Sequence, residues 1–300
     1  MKQSSMDNYL RLPDYLKKPI ASLDNKENKD VRGILSKYNL NTVCDNARCP
    51  NKSTCYGCLT ATFLIMGKNC SRNCRFCNIS SEHPTPLDKN EPKNVAKAVS
   101  ELGLKYVVIT SVTRDDLADG GANHFKETIE EIRKINKDVK IEILTPDFKE
   151  NIEAMNLIIE AKPDVFNHNI ETVPRLYEIA RPQANYKQSL NVLSYIKKNS
   201  PDVLTKTGIM TGLGETKEEI IQTIKDIKEN NVDILTIGQY IRPSKNHLKV
   251  DRYYKEEEFK ELEEIALNIG IKACVSAPLA RSSYKASETY DILMKKKKGY

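Results

Sequence analysis

Seven of the chain's eight cysteines fall in the thirty-four residues from Cys44 to Cys77. Their spacing is Cys44-x4-Cys49-x5-Cys55, with Cys58 following, then Cys70-x3-Cys74-x2-Cys77, and the apolar run from Ala61 to Gly67 separates the two triplets. A chain that gathers thiols so tightly either cross-links them or uses them as ligands. Nothing at the N-terminus reads as a secretory signal and the chain is long enough for an ordinary core, so disulfides are the weaker expectation. Three thiolates at x3 and x2 spacing, on a loop directly after a strand, reach three corners of an iron–sulfur cubane and leave its fourth iron free for a substrate or cofactor. A zinc alternative exists, because Cys55-x2-Cys58-x15-Cys74-x2-Cys77 also fits a four-cysteine structural site. It leaves Cys44, Cys49 and Cys70 idle and puts an apolar strand inside the ligand loop.

From Ala61 onward, short β-branched apolar runs alternate with stretches of helical periodicity. The strands expected are Ala61–Met66, Tyr106–Thr110, Lys140–Leu144, Val165–Ile170, Leu204–Met210 and Ile234–Tyr240. Helices are expected near 93–102, 122–136, 150–160, 186–198, 216–230 and 255–269, with a short one at Val31–Tyr38 and an extra strand at Lys272–Pro278. Strand–helix alternation implies parallel βαβ units, and right-handed crossovers roll six of them into an open, partial (β/α)6 barrel. A doubly wound sheet is the alternative. The cysteine loop favours the barrel, since barrel chemistry sits at the C-terminal ends of strands and Cys70 to Cys77 lie just past the first. Ser111–Asp116, Asn167–Glu171, Thr211–Glu215 and Gln239–Ser244 follow other strands in the same way. The expected division is an N-terminal extension over 1–60, the barrel over 61–270 and a C-terminal extension over 271–300.

Composition removes several function classes. With 39% hydrophobic and 29% charged residues the chain has the balance of a globular protein, and no apolar run approaches membrane-spanning length. The net charge of +6 owes part of its size to Lys295–Lys298, which reads as a solvated tail. No basic stripe with interleaved aromatics and no nucleic-acid motif is present, so neither nucleic acid nor a membrane is an expected partner. Clustered thiols and the absence of a leader point to the cytoplasm.

The second triplet reads Cys-Ser-Arg-Asn-Cys-Arg-Phe-Cys and resembles the radical S-adenosylmethionine (SAM) superfamily, whose open iron chelates SAM. The resemblance narrows with Cys44-x4-Cys49-x5-Cys55, Thr60–Phe63, Ser111–Gly121, His168–Val173, Gly212–Thr216, Gly238–Ser244 and the Arg-Ser-Ser-Tyr segment Arg281–Tyr284. In this order, over about residues 31 to 284, they resemble the lipoyl synthase family. The resemblance implies two 4Fe-4S clusters and SAM as cofactors, since sulfur insertion at unactivated carbons needs radical chemistry. It implies that Cys70, Cys74 and Cys77 hold the cluster that cleaves SAM to a 5′-deoxyadenosyl radical. It also implies that Cys44, Cys49 and Cys55 hold an auxiliary cluster, consumed as sulfur donor, with a serine as fourth ligand. That serine maps to Ser283, with Ser282 the alternative. A hard alkoxide on cluster iron is a poorer partner than a thiolate, which suits an iron that must be released.

The implied reaction inserts two sulfur atoms at C6 and C8 of a protein-bound octanoyl-lysine chain. The implied partners are an octanoylated lipoyl-carrier domain (a 2-oxoacid dehydrogenase E2 or a glycine cleavage H protein), an electron donor such as flavodoxin or ferredoxin, and an iron–sulfur carrier. Asn169, Glu171 and Arg181 are the candidate SAM contacts, each with a plainer reading as a helix cap or salt-bridge partner. Arg114, Asp115 and Asp116 read as an exposed salt-bridged loop, His168 as a packing residue, and Cys274 as a small core residue. Cys58, and Leu59 where the family has glycine, depart from the family pattern, and Cys58 reads as a bystander, with displacement of Cys55 or Ser283 as ligand the alternative.

Overall fold

The computed structural model describes residues 10–17, 26–47, 49, 51–57 and 62–297. Its strands are β1 (Asn41–Thr42), β2 (Thr62–Ile65), β3 (Tyr106–Ser111), β4 (Lys140–Leu144), β5 (Val165–Asn167), β6 (Leu204–Thr211), β7 (Ile234–Gln239) and β8 (Ala273–Ala277). They form one sheet in the order β1 to β8, in which β1 pairs antiparallel and every later neighbour pairs parallel. No ladder joins β8 to β1 among the described residues, so the barrel stays open. β2 to β7 are the six strands expected from the periodicity, and β8 is the extra one. β2, β5 and β7 are buried along their whole length, as parallel strands covered on both faces must be.

Differences in strand length have local causes. β2 stops at Ile65 because Met66 and Gly67 turn to positive φ, 67° and 88°, and leave the sheet. β5 is regular only to Asn167, yet Glu171, at φ 69°, rejoins β6 through an isolated bridge to Ile209. Between the end of β5 and that bridge, Asn169 leaves the regular ladder. The main helices begin where cap chemistry puts them: Asn151, Asn185 and Thr216 accept from the backbone N–H of Ala154, Gln188 and Glu219. No helix among the described residues is long and apolar enough to cross a membrane.

The end of the sheet opposite the cysteine loop is closed from the C-terminus. Residues Ala286–Lys297 form a helix. Its Tyr290 and Leu293 pack on Val165, Leu204 and Ile234, the first residues of β5, β6 and β7. Inside the barrel, Lys206 on β6 meets Glu142 on β4 at 2.9 Å, both almost fully buried, with Tyr106 and Asn167 donating to the same carboxylate. Such a pair tolerates burial only because every oxygen has a partner.

Candidate active site

Cys70, Cys74 and Cys77 lie on the loop that follows β2, and the surrounding strand ends fasten it. Cys70 N–H donates to Ser80 O at 2.7 Å, Ser71 N–H to Thr113 O at 3.0 Å, Arg75 N–H to Ala180 O at 2.9 Å, and Leu248 N–H to Arg75 O at 3.0 Å. His247 Nε2 donates to Cys77 O at 2.9 Å while its Nδ1 accepts from Ser244. Between the first two cysteines, Arg72 is 5% exposed and forks to Asp115 beyond β3 and to Asp147 beyond β4, at 2.7–3.0 Å. Burial would raise the Asp147 carboxyl, but Arg72 outweighs it and holds the group down to about 2. Asp147 is followed by Phe148, Lys149 and Glu150 at φ 48°, 51° and 56°. Three consecutive left-handed residues with side chains cost about 1–2 kcal/mol each, and the Lys149 N–H bond to Asp147 at 3.0 Å offsets part of this.

The candidate SAM contacts converge on the same loop. Asn169 Nδ2 donates to Glu171 Oε1 at 3.0 Å and to Ser282 Oγ at 2.7 Å. Arg181 Nη1 donates to Asn169 O at 2.9 Å and to Tyr177 OH at 3.1 Å, and its Nε is buried without a partner among the described residues. Burial pushes the Glu171 carboxyl up, against the pull of Arg181. Burial also raises the Cys74 thiol, while Arg181 draws it down. His168 is fully engaged, its Nδ1 donating to Thr145 O at 2.9 Å and its Nε2 accepting from Ser189 at 3.0 Å. Burial holds it neutral, with its pKa lowered to about 4.

The first triplet sits on two short helices, with Cys44 in Val43–Asn46 and Cys55 in Lys52–Gly57. Cys49 N–H donates to Cys44 O at 3.1 Å and Cys55 N–H to Asn51 O at 2.9 Å. Thr42, Asp45 and buried Tyr56 share hydrogen bonds of 2.6–2.8 Å beneath them. The segment after β8 then crosses to this side. Asn51 Nδ2 donates to Leu279 O at 2.8 Å, and the Thr62 hydroxyl donates to Ser283 Oγ at 2.9 Å. Thr62 also presents its backbone N–H to the Cys44 sulfur. Ser282 and Ser283 therefore face different neighbours, the first Asn169 and the second Thr62. Arg281 lies between: burial lowers it, and both Cys49 and Glu171 hold it charged. The arm fits because Gly238 has no side chain, since a Cβ there would collide with the Ala280 carbonyl.

The donor sets suit clusters. Cys44, Cys49, Cys70, Cys74, Cys77 and Cys274 are free thiols. Cys77 feels the charges of Cys74 and Cys70, and Cys44 those of Cys49 and Cys55. Burial pushes Cys44 and Cys77 up to about 12, so at neutral pH they stay thiolates only when bonded to metal. Thr113 and Arg72 aim N–H groups at Cys70 Sγ, at 3.3 and 3.5 Å, and Ile79 offers one to Cys77. Among the described residues no three His, Cys, Asp or Glu side chains converge on a single-ion site, whereas a cubane takes thiols spread around its corners. Cys58, which the zinc alternative requires, lies outside the described residues, as does Leu59.

One expectation changes. Arg114 is not exposed: it is 3% accessible and forks to Asp116, while Asp115 serves Arg72. Arg72, Asp147 and His247 were given no role by the sequence, and Thr62 stood only inside the Thr60–Phe63 motif; the hint was an arginine inside the cysteine loop with aspartates clustered beyond β3. Cys274 is buried in β8, and burial raises its thiol, as a core residue's should.

Residues 64–227 match the family model of the radical SAM superfamily. Over 277 residues the chain is 52% identical to a lipoyl synthase of Caldanaerobacter subterraneus subsp. tengcongensis, covering 92% of this chain and 96% of that protein. Over 284 residues it is 49% identical to a lipoyl synthase of Alkaliphilus metalliredigens, covering 95% and 97%. The crystal structure of methylornithine synthase superposes with a TM-score of 0.54 over 85% of this chain and 83% of its own, at 17% identity, a likeness of fold alone. The open parallel barrel, the two cysteine triplets and these relatives agree, and the chain belongs to the lipoyl synthase family of the radical SAM superfamily.

Proposed function

We propose that the two triplets divide the work of lipoyl synthesis between a cluster that is kept and a cluster that is used up. Cys70, Cys74 and Cys77 hold the SAM-binding 4Fe-4S cluster, and Cys44, Cys49, Cys55 and Ser283 hold the auxiliary one. When bound, SAM and the two clusters supply radical hydrogen abstraction from the octanoyl chain and the sulfur that replaces it at C6 and C8. Glu171 accepts the ribose hydroxyls, Asn169 fixes the Glu171 carboxylate, and the spare Nε of Arg181 is aimed at the ligand's own carboxylate. The substrate is an octanoylated carrier protein. An E2 or H-protein domain, a flavodoxin or ferredoxin, and an iron–sulfur carrier in the cytoplasm are the partners this reading calls for.

The observation that carries the reading is the arm after β8. Ser282 meets Asn169 on one side and Ser283 meets Thr62, beside Cys44, on the other. One strand of backbone thus forms a wall common to both sites. Ser283, whose neighbour Thr62 also reaches Cys44, is the serine this reading gives to the auxiliary iron.

Anaerobic reconstitution should yield about eight irons per chain with matching sulfide, and incubation with SAM, reductant and an octanoyl-lysine carrier should add two sulfurs to the carrier by mass. About four irons with SAM cleavage but no sulfur transfer would defeat the auxiliary assignment. Stoichiometric zinc would defeat the radical reading altogether.

A further inference from the structure

Arg72 sits between two cysteine ligands, yet its side chain serves neither. Nε and Nη2 fork to Asp115, and Nη1 and Nη2 fork to Asp147, so one guanidinium ties the β2 loop to the loops after β3 and β4. Lysine offers a point charge and cannot make both forks. A second observation marks this junction as built. Asp147 opens the run of three left-handed residues Phe148, Lys149 and Glu150, a conformation that persists only where the surroundings over-determine it.

The forks have a consequence at Cys70. They hold Ser71 and Arg72 in register with Thr113–Asp115: the Ser71 hydroxyl donates to Thr113 O at 3.0 Å, and Asp115 N–H donates to Ser71 Oγ at 3.0 Å. That register is what points the N–H groups of Thr113 and Arg72 at Cys70 Sγ. Hydrogen bonds to cluster sulfur set a cluster's potential, and they favour the reduced, more negative state. We infer that Arg72, clamped by Asp115 and Asp147, is a positioning residue that fixes the two N–H donors on Cys70 and thereby the reduction potential of the SAM-binding cluster. This rests on assigning that cluster to Cys70, Cys74 and Cys77.

The test uses the full chain, reconstituted anaerobically, as wild type, Arg72→Lys and Asp115→Asn. The readouts are iron content, KM for SAM, the rate of SAM cleavage without carrier, and the midpoint potential of the reduced resonance signal that changes when SAM is added. Arg72→Lys should load its iron and shift that potential to more negative values. SAM cleavage should slow about tenfold or more, with KM for SAM unchanged. Asp115→Asn, which keeps the Asp147 fork, should shift the potential in the same direction by less. A loaded Arg72→Lys protein with wild-type potential overturns the inference, whether or not cleavage slows. If Arg72→Lys fails to load, Asp115→Asn decides, and an unshifted potential there overturns it too. A wild type with no SAM-responsive signal would instead remove the cluster assignment, leaving Arg72 as a staple of the fold.

Discussion

The two cysteine triplets are held in opposite ways. The Cys70–Cys77 loop is bonded outward to nearly every element around it: the loops after β3 and β4, the Ala180–Gln183 turn, and His247 and Leu248. The Cys44–Cys55 segment carries bonds within itself, from Cys49 to Cys44 and from Cys55 to Asn51. Its outward links run through Asn51 to the arm after β8, through Thr62 and through Asn46 to Asn78. A site that must repeat one geometry every cycle gains from a rigid frame. A site whose iron is released gains from one that can open. Under the proposed division of work, two similar triplets are fitted for retention and for release by what surrounds them.

The largest test separates the halves outright. Cys70→Ala should abolish SAM cleavage, whereas Cys44→Ala should keep cleavage to 5′-deoxyadenosine and make no lipoyl product, read by chromatography and carrier mass. Loss of cleavage in both would show that the halves are not independent.

Next, Ser283→Cys should replace the releasable oxygen with a thiolate. Iron content should stay near the wild-type value while lipoyl formation drops at least about tenfold. Ser282→Cys, whose neighbour is Asn169, should not reproduce this pattern. Full activity in Ser283→Cys would remove the release argument.

A smaller effect tests the arm. In Gly238→Ala the new methyl group meets the Ala280 carbonyl, an overpacking that costs about 1–3 kcal/mol. The displaced arm should lower auxiliary-cluster occupancy and leave the SAM-dependent signal in place. Equal loss of both clusters would mean that the wall is not local.

The smallest concerns the rigid half alone. His168 is buried neutral with a pKa of about 4 against an ordinary 6.5, so the unfolded chain takes up its proton first. Its contribution is complete above pH 6.5 and is lost as pH falls from 6.5 to about 4, with a slope of up to about 1.4 kcal/mol per pH unit. Urea unfolding across that range should show the slope, and His168→Asn should flatten it.

The sequence by itself determined the strands β2 to β8 and the spacing of the two cysteine triplets. Those features are local: apolar periodicity over five or six residues, and thiols grouped by their spacing. Even so, it misread Arg114 as part of an exposed loop, because exposure belongs to what covers a segment. Only the tertiary structure decided which serine faces which site, with Thr62 and Ser283 lying 221 positions apart and Asn169 and Ser282 lying 113 apart. Only it gave Arg72 its two aspartates, one of them 75 residues away. Pairings between distant residues follow from how the strand ends meet around the open barrel, and no stretch of chain carries that geometry alone.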